Sequence, residues 1–316
     1  MGKRWFNIPF LCLMFVTCFM ISAPSYGEKS MISPVKEADK YFKQEGPQLY
    51  SLAQRIEAQQ PITIDDIKAL PEGSLNKRYS AEITLLFFAL EVFNAQAIDV
   101  LLEAGADPYM IDRPSLGSGR DFTFYFAMYN PEDKTGFTPA FVNTILASYL
   151  KHGGDPNHRT NFYILSDIAI SENYTGVKMV ANAGGDVFEP HDEIGYSAAV
   201  VLAANDYPEG QKCLSDLIDE GYLDQRPVAY IERMLGSLEP DGSGDLSVRR
   251  NRYAKLNAEK LLVRYPEITD NDSTKRIFGG PIPWKDLQAR HFTDPETGNQ
   301  KGNEENEKDK VKMKPI

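Results

Sequence analysis

The chain has 316 residues with 34 basic and 45 acidic side chains, a formal net charge of −11, which argues against nucleic acid or an anionic lipid surface as its main partner. Charged residues make up 25% and apolar ones 42%, enough to build a continuous core and too apolar for a disordered chain. Lys3 and Arg4 precede an apolar run from Trp5 to Ala23, and small residues follow at Ser25 and Gly27. This is the pattern of a secretory signal, cleaved near Gly27; an uncleaved membrane anchor is the alternative. Removal of the leader takes Cys12 and Cys18 with it and leaves 32 basic against 45 acidic residues, or −13. The remaining Cys213 lies between Lys212 and Leu214 in a helical pattern and reads as a small buried hydrophobe.

Residues 28–35 read as a flexible leader to the fold. Tyr41, Leu49, Leu52 and Ile56 have partly helical spacing, divided at Gly46-Pro47, and Thr63 or Asp65 caps a short helix that ends at Leu70. Two short helices follow from Thr84 to Pro108, the second with Ile98, Leu101 and Leu102 on one face and Gly105 at its end. A third helix starts at Phe122 and its partner runs from Phe137 to His152, closed by Gly153. A further pair begins at Tyr163 and closes at Gly184; another runs from Gly195 to Gly221, with an expected small insertion at Tyr207–Gly210. Val228 to Leu238 and Leu246 to Tyr265 are helical patterns, the latter with Tyr253, Leu256 and Val263 on one stripe. Ile277 to Trp284 is expected as an extended arm, and the Asn-, Lys- and Glu-rich tail from Thr297 has little to bury.

The segments Leu101-Leu102-Glu103-Ala104-Gly105-Ala106-Asp107 and Leu150-Lys151-His152-Gly153-Gly154-Asp155 resemble the closing half of an ankyrin repeat. Thr84 and Gly105 are 21 residues apart, as in that family, and so are Tyr163 and Gly184; Leu85 and Phe87 stand where the family has Pro and His. The resemblance implies an all-α, ankyrin-like helical solenoid of about four repeats at 81–226. Helical caps flank it at 28–80 and 227–292, between a signal peptide at 1–27 and a disordered tail at 293–316. The repeat period is stretched by insertions near 113–120 and 130–136, and solenoid insertions collect on the binding face.

No catalytic constellation stands out. Ser243 in Asp241-Gly242-Ser243-Gly244-Asp245 lacks the Gly-x-Ser-x-Gly elbow, and the same segment fails as a calcium loop because Leu246 and Arg252 fall where Gly and Glu are required. His152, His158, His191 and His291 form no tight ligand pair, so neither a metal nor a cofactor is expected. A hydrolase or metal enzyme using Ser243 or these histidines is the rival reading.

The expected function is a non-catalytic, exported protein-binding scaffold. Exported bacterial proteins of the ankyrin-like kind include immunity proteins that neutralise toxic effector enzymes, for example those delivered by type VI secretion, and the resemblance implies that role in the periplasm. A periplasmic stress-protection partner of a host enzyme is the alternative. The partner is expected on the loop tips and insertions: Tyr109, Arg113, Arg120, Tyr129, Glu132, Asp133, Asn157, His158, Arg159, His191 and Asp192.

Overall fold

Small polar side chains start most of the central helices. Thr84, Asn94, Thr138, Asn173 and Ser197 each accept the backbone N–H three residues on, at 2.9–3.3 Å. A cap of this kind contributes ~1 kcal/mol, and helices of seven to thirteen residues need packing besides. The computed structural model describes residues 36–117, 120–129, 136–159, 163–189, 197–240, 244–290, 292 and 295. The chain divides into Met1–Glu37, of which only Lys36 and Glu37 are described, and Ala38–Ile316. The expected signal peptide and nearly all of the expected tail therefore lie outside the described residues.

The protein is all-helical, with no strand among the described residues. Helices α1 (Glu37–Phe42) and α2 (Pro47–Glu57) are separated at Gly46, and Thr63 caps α3 (Ile64–Lys68). Then come α4 (Leu85–Glu91), α5 (Ala95–Glu103), a 3-10 helix at Phe122–Met128, and α6 (Pro139–Lys151). They are followed by α7 (Ile164–Ile170), α8 (Tyr174–Asn182), α9 (Ala198–Ala204) and α10 (Pro208–Asp219). Helices α11 (Val228–Ser237), α12 (Asp245–Arg264), α13 (Asp272–Phe278) and α14 (Trp284–Gln288) are the last among the described residues.

Packing follows chain order in two rows. In one, Phe122–Met128, α7, α9 and α11 lie against each other in turn, with Phe87 of α4 meeting Tyr125 at 6.1 Å; in the other, α5, α6, α8, α10 and α12 do so. The apolar side chains between the rows form one cluster that continues from Ala38 to Leu287. Each buried Leu, Ile or Phe in it contributes ~1.5–3 kcal/mol. No helix among the described residues is long and apolar enough to cross a membrane.

The four expected closing glycines, Gly105, Gly153, Gly184 and Gly221, all have φ between 83° and 96°. In each case the next N–H reaches back five residues, from Ala106 to Leu101 O, Gly154 to Tyr149 O, Gly185 to Val180 O and Tyr222 to Leu217 O. This left-handed closure satisfies the last helical carbonyls and turns the chain out into a loop.

Several expectations are corrected. The segment starts at Phe122 as expected, but it is a tight 3-10 helix, capped by Asp121, whose carboxylate accepts from Thr123 N; its run of aromatic residues suits an α-helix poorly. The residues expected as an insertion at Tyr207–Gly210 do not form a loop: Pro208–Gly210 are the first turn of α10, which has 12 residues against nine in α5 and α8, with Pro at a position where no N–H is needed. Val263 is exposed, and α12 instead buries Arg250, Asn257, Glu259 and Lys260. The reason is that α12 covers open helix ends: the Arg250 guanidinium donates to the carbonyls of Ala203, Asn205, Ser237 and Glu239. The expected arm is helical on both sides of its prolines. Asn271 and Thr274 form a reciprocal cap for α13, and Gly279 at φ 69° ends it.

Candidate functional site

Three of the four loops that follow the closing glycines share a local design. Asp107, Asp155 and Asp186 each stand two residues after the glycine, and each carboxylate accepts the N–H two residues further on, from Tyr109, Asn157 and Phe188, at 2.8–2.9 Å. The turn is thus held by its own aspartate.

The side chain at that second position then reaches the next loop. Tyr109 Oη accepts from Asp155 N at 2.8 Å. Asn157 accepts from Asp186 N at 2.7 Å and donates to Gly184 O at 3.1 Å. Asn76 makes the same two bonds one loop earlier, accepting from Asp107 N at 2.8 Å and donating to Gly105 O at 3.3 Å. Phe188 ends the series under the Arg226 guanidinium, which also pairs with Asp186 at 2.9 Å. Four rungs, at Asn76, Tyr109, Asn157 and Phe188, therefore fasten successive loops into one edge.

Behind the second rung lies a hydrogen-bonded cluster. Tyr109 Oη and Tyr149 Oη are 3.0 Å apart, and Tyr149 donates to Asp155 O at 2.8 Å. Burial pushes the Tyr149 phenol up, so it stays protonated and available as a donor. The His158 ring lies 4.3 Å from the Tyr109 ring, and its Nε2 is 2.7 Å from Asp121 Oδ2. Asp121, only 1% exposed, also accepts from Thr123 N and Oγ1 at 2.9 and 2.6 Å. A carboxylate buried this deeply is sustained by its donors. Among the described residues no hydroxyl or thiol is hydrogen-bonded to His158. Cys213 lies elsewhere, buried on α10, with its thiol pushed up to about 12 by burial.

The expected binding residues separate into several groups. Tyr109, Asn157 and His158 belong to the rungs and their backing cluster. Asn157 and Arg159 are exposed; Arg159 lies over the Tyr163 ring at 5.3 Å. Arg120 is half-buried over Phe124 at 4.4 Å, and Tyr129 is half-buried where the 3-10 helix ends. Arg113 is a strap within the fold: it pairs with Glu91 at 2.5 Å and lies over the Tyr41 ring. Glu132, Asp133, His191 and Asp192 lie outside the described residues.

Leu116, not among the expected residues, is 74% exposed on the turn Pro114–Leu116. That turn is fastened by Arg113 and by Ser115 N donating to Glu82 at 2.8 Å, a bond that holds the Glu82 carboxyl below its ordinary value. Among the polar and small residues of Pro114-Ser115-Leu116-Gly117, the leucine was the available signal. The two histidines nearest in sequence part ways, since His158 meets Asp121 whereas His152 Nε2 lies 2.9 Å from Asp99 Oδ1. The described residues bring one mixed donor set together, Asp99, Glu103 and His152. Compared with protein-family models and with curated proteins, the chain has no match.

Proposed function

We propose that this protein is a non-catalytic, exported protein-binding scaffold, an ankyrin-type stack of about four helix pairs between helical caps, which binds and neutralises a toxic effector enzyme in the periplasm. The observation that carries the binding reading is the rung series at Asn76, Tyr109, Asn157 and Phe188, which makes the loop tips one rigid edge. A surface ordered before binding loses less entropy on association than free loops do. Leu116, Tyr109 and Arg159 are exposed on or beside the loops of this edge, and an apolar or aromatic side chain on a fixed loop is the usual anchor of a protein interface. The net charge of −11 suits an enzyme with a basic surface. The recurrent glycine closures and the two rows of helices in chain order support the ankyrin-type reading, and the neutralising role follows from the family resemblance.

The test co-expresses the full chain with each toxin or lipase encoded beside its gene and scores survival, then measures binding of the protective pair. Leu116→Asp and Arg159→Ala are expected to weaken binding by ~1 kcal/mol or more while leaving the melting curve nearly unchanged. Failure to protect against every neighbouring toxin overturns the inhibitor reading. Protection with both variants binding like the wild type moves the interface away from this edge.

A further inference from the structure

We propose that Asp99, Glu103 and His152 form a binding site for a divalent transition-metal ion of the zinc class, which joins α5 to α6 near the helix ends that lead into the rung loops. Asp99 and Glu103 are four residues apart on α5 and so project from one face a turn apart. His152 caps the C-terminus of α6, and the packing of α5 on α6 brings its ring over that face. One ligand atom from each residue lies within 4.8 Å of the others, and His152 Nε2 is already 2.9 Å from Asp99 Oδ1. Neighbouring donors around a tetrahedral ion are ~3.3 Å apart at metal–ligand distances of ~2 Å, so small side-chain rotations suffice.

The cluster also has a cation seated on it. Lys151 Nζ lies 3.2–3.3 Å from both Asp99 carboxylate oxygens. Burial acts upward on Asp99, yet His152, Lys151 and Ser148 together hold its carboxyl below its ordinary value. The Lys151 side chain is 62% exposed and can withdraw into solvent without leaving a void, whereas the His152 side chain is only 12% exposed and stays in place. On binding, Lys151 leaves with its charge, any proton on His152 Nε2 passes to solvent, and water completes the coordination. An imidazole with two carboxylates suits Zn²⁺, Cu²⁺ or Ni²⁺, while Mg²⁺ and Ca²⁺ require oxygen donors throughout.

The full chain, stripped with a chelator and dialysed, is titrated with ZnCl₂ by calorimetry and by thermal unfolding, with MgCl₂ as the control. Wild type is expected to take up about one Zn²⁺ at this site and to melt at a higher temperature with zinc, as binding to the folded state alone requires. His152→Ala, Asp99→Asn and Glu103→Gln are each expected to lower zinc affinity about tenfold or more. Lys151→Met, which keeps all three ligands and removes the competing cation, is expected to raise it. The opposite direction for Lys151→Met keeps the proposal falsifiable should a ligand variant fold poorly. Absence of zinc uptake by wild type, a Lys151→Met affinity equal to or below wild type, or uptake abolished by His191→Ala or His291→Ala but not by His152→Ala overturns it.

Discussion

Asp167 on α7 offers a direct measure of what burial does to a charge in this fold. No hydrogen-bond donor or cation among the described residues meets its carboxyl, and burial alone pushes that group up from 3.8 to about 7. The native state therefore holds a proton that the unfolded chain releases near pH 4. The group's contribution to stability is fully present below about pH 4 and is lost as pH rises through about 7. A shift of this size corresponds to about 4 kcal/mol at full value, and because part of the residue reaches solvent the expected effect is ~2 kcal/mol. Asp167→Asn keeps the shape and removes the titration. Urea unfolding of both proteins at intervals from pH 4 to pH 8 is expected to show near-equal stability at the acid end and an advantage of ~2 kcal/mol for the variant above pH 7. A difference that stays constant with pH, or a wild type that gains on the variant as pH rises, refutes the reasoning.

Arg250→Met removes the donors that serve four carbonyls at the ends of two helices; a loss of ~3 kcal/mol or more is expected, read as a fall in melting temperature. Asp121→Asn and His158→Gln together should cost less than the sum of their separate effects, with a coupling of ~1–2 kcal/mol at neutral pH in a double-mutant cycle; additivity would show that the 2.7 Å contact contributes nothing. A Cβ on Gly184 meets nothing within 4 Å, so the ~1–2 kcal/mol expected for Gly184→Ala is all backbone strain at φ 96°. Gly184→Asn, whose side chain tolerates that region, should therefore be milder in the same denaturation assay.

The helix ends were legible where one residue type is nearly obligatory. A closing glycine followed by aspartate announces a left-handed residue and a turn, and Gly105, Gly153 and Gly184 behave so. The turns inside the helix pairs were not legible, because Phe93 and Glu172 take positive φ without being Gly or Asn. What holds them is the next residue: Asn94 caps α5 and donates to Ile56 O at 2.8 Å, and Asn173 caps α8 and donates to Asn143 at 2.8 Å. Those partners are 38 and 30 residues away, beyond the reach of local patterns. The same limit applies to the candidate site. Tyr109 and Asn157 could be placed on loop tips, but that Arg113 serves Glu91 depends on how α4 meets the following loop. Nothing local marks Arg250 and Lys260 of α12 for burial: the Ala203 and Asn205 carbonyls that meet the one, and Ser215 with Asp219 that meet the other, lie 41–47 residues earlier.

The rungs also bear on how such a chain can change its length. Two loops read Asp-Pro followed by the rung residue, at Asp107-Pro108-Tyr109 and Asp155-Pro156-Asn157. Excision of residues 109–156 would join Pro108 to Asn157, leaving an aspartate turn followed by the same Asn that grips Gly184 and Asp186. The shortened edge would lose the Asp121–His158 pair and keep its remaining rungs in register. Removal of 157–187 would likewise join Pro156 to Phe188, leaving an aspartate turn followed by the same ring that lies beneath Arg226. Genetic gain or loss of a unit is thus open at both pairs of loops, provided the cut runs from one rung residue to the residue before the next.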